Sequence, residues 1–284
     1  MEINRLNPML RGGLHEDPKD ERDYQYASIA DLNIDGICLR SGFPNRVDHS
    51  DKMSSVKYQG NLGSCVGFSI CAMKEWQEHI EYEKKKKEPG YNYNRNGEEY
   101  NLSEQWVYWN AKKIDPWPGQ EGTNFRSGLK VVKRIGVPVE HGWPYRDCNI
   151  NIGRPQGWSH LIARWFVIDS YWRVNGIYGL KQALIDGPVV IGIPVFEEML
   201  GRLVGGYIPL PRYVVPICHH AVCAVGYDDS EKLIKFKNSW SRFWGSRGYG
   251  YVSYEYIHRF MTDAWAVRDL RVRRDMISGK FSLI

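Results

Sequence analysis

The chain has 284 residues, 43% apolar and 13% aromatic, with 38 Lys and Arg against 33 Asp and Glu for a formal net charge of +5. That length suits one large domain or two lobes sharing a cleft, and the apolar fraction is enough for a real core. The charge is mild and dispersed, so nucleic acid is not an expected partner; no stretch reaches the ~18 apolar residues of a spanning helix, so neither is a membrane.

Residues 1–45 are polar and irregular, and read as an N-terminal arm. Tyr24 and Tyr26 in Asp-Tyr-Gln-Tyr suggest that this arm is tacked onto the body. The opening Met-Glu-Ile-Asn-Arg-Leu-Asn-Pro has no apolar run of the secretory type. Val47–Lys57 then leads into Gln59-Gly-Asn-Leu-Gly-Ser-Cys-Val-Gly-Phe-Ser69, a turn-rich approach followed by a helix from Cys65. That helix is apolar nearly all round at its start and amphipathic after Lys74. Lys84–Lys87 and Pro89-Gly90 close it, a cationic last turn followed by breakers. As a solvated helix end the lysine run needs no function.

Leu102–Lys113 reads as a second helix with Ser103 as N-cap, and Asn124–Ile135 as a third, stopped by Gly136 and Pro138. Trp143-Pro-Tyr145 opens an irregular stretch to about Ser159. Ala163–Trp172 alternates like a strand, Gly176–Ile185 is a short helix, and Val189–Val195 is a β run. Tyr207–Pro216 reads as a Pro-rich loop or edge. His220–Tyr227, Leu233–Trp240 and Gly248–Tyr254 are strands, the first two joined by the turn Asp228-Asp229-Ser230. A helical half followed by an antiparallel β half implies an α+β protein in two lobes with a cleft between them. The expected divisions are an arm at 1–45, a helical lobe at 46–160 and a β-rich lobe at 161–284.

The six cysteines, Cys38, Cys65, Cys71, Cys148, Cys218 and Cys223, are sparse and include no CxxC pair, so neither a metal site nor another cofactor is expected. Cys65 and Cys71 lie too far apart along one helix to bridge, and a reducing compartment with free thiols is the simpler reading. A lone cysteine is ordinarily a small core residue. At a helix start, however, the macrodipole favours thiolate, the nucleophilic form.

Five segments, in order, resemble those of papain-like (C1 family) cysteine peptidases. Gln59–Ser69 is similar to the nucleophile segment QGxCGSCWAFS, and Leu102-Ser-Glu-Gln105 to the LSEQ helix start. His220-Ala-Val-Cys-Ala-Val-Gly-Tyr227 is similar to HAVxxVGY. Lys237-Asn-Ser-Trp240 and Trp244-Gly-Ser-Arg-Gly-Tyr249 are similar to KNSWGxxWGxxGY. The resemblance covers roughly residues 45–260. It implies a papain-like two-lobe fold, with a helical left lobe, an antiparallel β-barrel-like right lobe and the active site between them.

The implied activity is a cysteine endopeptidase acting on a peptide or protein substrate. Cys65 would be the nucleophile and His220 its thiolate–imidazolium partner, which then protonates the leaving amine. Asn238 would orient the imidazole. Gln59, with the Cys65 backbone N–H, would stabilise the oxyanion, and Trp240 would shield the His220–Asn238 bond. Gly122, Gly192, His219, Ala221 and Trp240 are the expected substrate-binding positions, with Cys218 and Val222 also bordering the pocket at Gly192. Gly122 would offer its backbone to an extended substrate. The small Gly192 would admit an apolar or aromatic side chain.

Several positions depart from the family pattern. Val66 stands where the family usually has Trp, and Leu62 where secreted relatives carry a disulfide cysteine. Cys148 lacks its usual partner. These features resemble a disulfide-poor bacterial, archaeal or phage-type branch, and imply a cytoplasmic or virion-associated location. Some 45 residues precede the matching body where the family has a longer pro-region. The arm is therefore either a short inhibitor over the cleft or a permanent strap, and the two tyrosines favour the strap. An acyl transferase or amidase on the same scaffold, and a non-catalytic structural or binding protein of a phage particle, are the alternative functions. The intact set Cys65, His220, Asn238 and Gln59 weighs against the last.

Overall fold

The computed structural model describes residues 12–26, 42–85, 100–147, 153–201 and 203–268. Cys38, Cys148, Lys86-Lys87 and the expected stop at Pro89-Gly90 lie outside the described residues. A short strand β1 (Arg46–Asp48) precedes three helices: α1 (Cys65–Lys85), α2 (Glu104–Lys112) and α3 (Phe125–Ile135). The capping residues explain where two of them begin. Ser103 Oγ accepts the Trp106 N–H at 3.2 Å, and Asn124 Oδ1 accepts the Ser127 N–H at 3.2 Å. The third ends at Gly136, whose φ of +73° favours glycine.

The first of these helices is buried further along than its sequence suggests. Lys74, Glu75 and Glu78 are buried, where an exposed face was expected. Pairing makes this possible. Lys74 and Glu78 meet at 2.7 Å one turn apart, and Glu75 accepts from Ser54 Oγ at 2.5 Å and Lys57 Nζ at 2.8 Å.

The second half adds α4 (Ser159–Ala163), β2 (Ser170–Arg173), α5 (Gly176–Asp186), β3 (Val189–Val195), β4 (Tyr207–Ile208), β5 (Cys218–Asp228), β6 (Leu233–Lys237), β7 (Tyr249–Ser253), α6 (Tyr254–Phe260) and β8 (Ala264–Arg268). Two expectations change here. The strand read across Ala163–Trp172 is confined to the residues that pair with β8, because Ala163–Phe166 forms a turn (Phe166 N–H to Ala163 C=O, 3.0 Å) against Val137. The strand ending near Tyr254 gives way to a helix there, because Ser253 Oγ caps it by accepting the Tyr256 N–H at 3.1 Å.

The strands form one sheet in the order β2-β8-β3-β5-β6-β7-β4, with β1 added beside β5. All described neighbours are antiparallel except β4 and β7. The sheet is mixed and open rather than closed into a barrel. Its central strand β5 separates two cores by simple alternation. Ala221, Cys223 and Val225 pack toward α1, Trp106 and Phe125; Val222 and Ala224 face Leu180, Ile234, Val252 and Tyr256. The strand that carries the expected histidine is thus fixed on both faces.

Candidate active site

Cys65 is the first residue of α1, and β5 carries His220 across from it; both are fully buried. The Cys65 sulfur receives the backbone N–H of Ala221, the residue after His220. A Cβ on Gly67 would stand 2.9 Å from the Glu104 carbonyl, so glycine lets α1 approach α2 closely just behind the thiol.

His220 Nε2 lies 2.8 Å from Asn238 Oδ1. An amide oxygen only accepts, so Nε2 carries the proton, and in the neutral ring Nδ1 is the basic nitrogen. Nδ1 makes no hydrogen bond. Asn238 Oδ1 also accepts the Ser239 N–H at 2.8 Å. Trp240 stacks on the imidazole with centroids 4.5 Å apart and planes at 27°. Gln59 is buried and held from several directions. Its Nε2 donates to Leu62 C=O at 3.0 Å, its Oε1 accepts from Ser239 Oγ at 2.6 Å, and its own carbonyl accepts from Tyr145 O–H at 2.7 Å. All four residues expected in the catalytic constellation therefore converge on one place. Behind them lies a small cavity whose walls include the charged Lys57, Glu75, Glu104 and Lys237 and the apolar Phe68 and Val222.

The N-terminal arm runs through this cleft. Thr123 N–H donates to Gly13 C=O at 2.8 Å, His15 N–H donates to Thr123 C=O at 2.9 Å, and Leu14 N–H donates to His219 C=O at 3.3 Å. Leu14 and Thr123 form a parallel bridge. The Gly13 N–H points at the Cys65 sulfur, and the Gly12 N–H at the Cys218 sulfur. Neither Gly12 nor Gly13 has positive φ, so space is what demands glycine. A Cβ on Gly12 would lie 2.6 Å from Cys218 Sγ, and one on Gly13 would overlap the Gly63 carbonyl. Leu14 is 6% exposed; it fills the place that the missing Gly192 side chain leaves, since a Cβ there would be 2.5 Å from Leu14 Cδ2 and 2.6 Å from Thr262 Oγ1.

The arm continues into a charged anchorage. His15 stacks on Trp117 at 4.6 Å. Buried Asp17 accepts from Asn124 Nδ2 (2.6 Å), Arg126 N–H (3.1 Å) and Trp265 Nε1 (3.1 Å), and gives its own N–H to Asp263 Oδ2 (2.7 Å). Arg126 and Arg173 reach Asp23 at 2.7 and 3.1 Å. Tyr26 is buried and donates its hydroxyl to Asp186. Tyr24, expected to dock alongside it, is 70% exposed. The chain turns at Asp20–Asp23, and at Tyr24 only the backbone docks, its carbonyl accepting the Arg173 N–H.

Burial governs the charge state of the site with the arm in place. It pushes the Cys65 thiol up to about 12, despite the N–H groups of Ala221, Gly13 and Val66 aimed at the sulfur. It pushes His220 down to about 4, against the opposing bond to Asn238. The thiolate expected at a helix start is thus suppressed: desolvation outweighs the dipole.

The other expected positions divide between the two sides. Gly122, with φ +91°, makes room for the arm, since its Cβ would meet Gly13 O at 2.5 Å; its N–H goes to Tyr108 O–H at 2.9 Å, and Thr123 makes the strand-like pairing. Gly192 lies under Leu14, His219 contributes its carbonyl, Ala221 its N–H, and Trp240 covers the imidazole. Thr123 and the Gly12-Gly13 pair escaped the sequence reading. The signal for the latter was available, because two successive glycines allow close backbone approach. Cys65, Cys71, Cys218 and Cys223 are free thiols. Among the described residues no cluster of acidic, His or Cys side chains suits a metal ion.

A sequence profile described as papain family cysteine protease matches residues 43–259. Xylellain, a cysteine protease from Xylella fastidiosa, has a similar crystal structure, with TM-score 0.75 and 28% identity over 92% of this chain and 96% of that one. An uncharacterized peptidase C1-like protein of Acanthamoeba polyphaga mimivirus is 29% identical over 231 residues, 75% of this chain and 69% of that protein. The cysteine protease Amb a 11.0101 of Ambrosia artemisiifolia is 28% identical over 252 residues; the match takes in 84% of this chain and 54% of that protein, so the chain spans about half its length. A crystal structure of the ragweed protease in its proform shares the fold, with TM-score 0.59 at 22% identity.

Proposed function

This chain belongs to the papain family of cysteine proteases, and on that premise we propose that it is an endopeptidase whose Cys65, His220 and Asn238 act as nucleophile, acid–base and orienting group. The observation that carries the reading is the His220–Asn238 bond of 2.8 Å, stacked under Trp240 and set on the strand whose Ala221 N–H reaches the Cys65 sulfur. Once the cleft opens to water, the burial that holds Cys65 protonated is relieved, and His220 Nδ1 can take the thiol proton. The thiolate attacks the peptide carbonyl; the developing oxyanion is met by Gln59 Nε2 and the Cys65 N–H at the helix start. The imidazolium then gives its proton to the departing amine, and water hydrolyses the acyl-enzyme by the reverse assignment.

The arm is the resident inhibitor in this reading. It fills the cleft as an extended strand, yet Gly13 presents its N–H to the sulfur and commits its carbonyl to Thr123. A peptide so held turns the N–H edge of its Gly12–Gly13 bond, rather than the face of the carbonyl carbon, toward the nucleophile, as suits an inhibitor. Leu14 against Gly192 and Thr262 supports an apolar preference for the substrate side chain that takes its place.

The test is labelling with an epoxide inhibitor of papain-like enzymes, with the adduct located by mass spectrometry, on the full chain and after release of the arm. An adduct at Cys65 that grows on arm release, and is lost in Cys65→Ser together with peptide hydrolysis, is the expected result. Folded, arm-released protein that takes no adduct at Cys65 would defeat the proposal.

A further inference from the structure

Tyr145 ends the Trp143-Pro-Tyr stretch and is absent from the expected site residues. Its hydroxyl lies 2.7 Å from the Gln59 C=O and 2.6 Å from Ser64 Oγ, 86 and 81 residues away along the chain. A carbonyl only accepts, so the tyrosine proton goes to Gln59. Ser64 Oγ then donates to the tyrosine oxygen in preference to Leu62 C=O, which is farther away at 3.3 Å. One half-buried tyrosine therefore joins the two ends of the loop from Gln59 to Ser64.

Those ends carry the two groups assigned to the oxyanion. Gln59 bears the side-chain amide, and Ser64 immediately precedes the Cys65 N–H. Gln59 is also bound to the β half, its N–H donating to Ser239 C=O at 2.9 Å and its Oε1 accepting from Ser239 Oγ at 2.6 Å. Tyr145 ties the same residue to the helical half, where Cys65 lies. The tyrosine is itself held: Phe68, in the first turn of α1, meets its ring edge-on at 4.8 Å, and its N–H donates to Glu140 Oε1 at 2.6 Å. A Cβ on Gly60 would overlap Asp147, so the segment after Tyr145 packs directly on the loop.

We propose that Tyr145 is a positioning residue for the oxyanion, its hydroxyl setting where Gln59 Nε2 stands relative to the Cys65 N–H. The inference rests on the endopeptidase reading above. Tyr145 touches neither the reacting carbonyl nor the thiol in this role; it acts through the main chain of the two donors. Such donors work only when aimed before the charge develops, and small displacements cost much of their effect. Without the hydroxyl, Ser64 Oγ turns fully to Leu62 C=O, the same carbonyl that holds Gln59 Nε2 at 3.0 Å, and the loop relaxes. The consequence is confined to steps in which a carbonyl oxygen becomes charged.

Tyr145→Phe deletes the hydroxyl and keeps the ring against Phe68. On the full chain after release of the arm, kcat for a dipeptidyl coumarin amide should fall roughly tenfold with KM unchanged, less than the loss of a whole oxyanion donor. Alkylation of Cys65 by iodoacetamide displaces iodide and charges no carbonyl oxygen, so its rate should stay at the parent value. In a Gln59→Ala background the same change should cost about threefold or less, because one of the two donors it positions is already gone. Ser64→Ala, which removes one end of the bridge, should show the same split between kcat and alkylation at a smaller size. Parent kcat in a folded Tyr145→Phe protein, a parallel loss of alkylation, or the full loss repeated in the Gln59→Ala background overturns the inference. If Tyr145→Phe does not fold, Ser64→Ala decides, and unchanged kcat or a matching fall in alkylation overturns it. If the parent neither hydrolyses the amide nor takes an epoxide adduct at Cys65, the endopeptidase reading fails and this inference with it.

Discussion

Replacing Gly13 by alanine adds a methyl group where the cleft has no room for one. Its Cβ would overlap the Gly63 carbonyl, and neither that loop nor Gly122, whose own Cβ position is 2.5 Å from Gly13 O, can retreat without disturbing the approach to Cys65. The arm is the part free to move. If it leaves, it loses the backbone bonds at Leu14, His15 and Thr123, worth about 1 kcal/mol each, and the burial of Leu14, worth about 2 kcal/mol. Ordering entropy offsets part of that sum of about 5 kcal/mol. A net loss of about 2.8 kcal/mol, a little over half, shifts the docked-to-open ratio about a hundredfold. Alkylation of Cys65 by iodoacetamide and hydrolysis of a dipeptidyl coumarin amide should both rise by about that factor. Gly157→Ala, at a position with nothing within 4 Å, is the control and should change neither. Parent rates in a folded Gly13→Ala protein would refute the argument that the arm is held by close packing at this glycine.

Arm docking should weaken as pH rises. In the docked arm, burial and then repulsion from Asp263 raise Asp17 from 3.8 to about 7, against the opposing Arg126 and Arg173. Burial raises Asp263 as well, against the Asp17 N–H and Arg173. The docked state therefore binds more protons than the free arm. Its stabilisation is complete below about pH 3.8 and is lost as pH climbs through about 7. Hydrogen exchange at the His15 amide in Cys65→Ser, corrected for the intrinsic rate, should show protection falling from pH 5 to 8; protection that rises would contradict the sign. Lys57→Met removes the cation 2.8 Å from Glu75 and 2.5 Å from Glu104, leaving two buried carboxylates unneutralised. It should cost about 3–5 kcal/mol in urea unfolding; an unchanged midpoint would show that the pair is not needed. Asn238→Ala removes the acceptor that orients His220, a bond to a group that becomes charged. It should lower kcat by roughly tenfold to a hundredfold, with Asn238→Asp recovering part of the loss.

Much of the site was legible because its chemistry sits in short local patterns. Gln59–Ser69, the HAV-type strand and Lys237–Trp240 each carry side chains whose identity and spacing survive without knowledge of packing. The caps at Ser103 and Asn124 work the same way, through a side chain and an amide three residues on. The helix at Tyr254–Phe260 and the strand limit at Ser170 were not legible. The aromatic and apolar residues there satisfy either periodicity, and a cap in one case and a partner strand in the other decide the outcome. The burial of Lys74, Glu75 and Glu78 was hidden because the partners that neutralise Glu75 lie elsewhere in the chain.

The arm marks the division most clearly. The sequence alone determined that Cys65, His220, Asn238 and Gln59 are present in the order and spacing of a cysteine protease, and that a short polar arm precedes them. Its two tyrosines favoured a strap; of the two only Tyr26 is buried, and the anchorage through Asp17, Asp23 and Tyr26 suits a docked inhibitor as well as a permanent strap. Only the tertiary structure put Gly12, Gly13 and Leu14 into the cleft, because that placement depends on space between Gly63, Gly122, Cys218 and Gly192, and Cys218 lies 206 positions from Gly12. The same packing sets the charge of the site. A helix start favours thiolate, but the arm excludes water, and burial holds Cys65 protonated and His220 neutral.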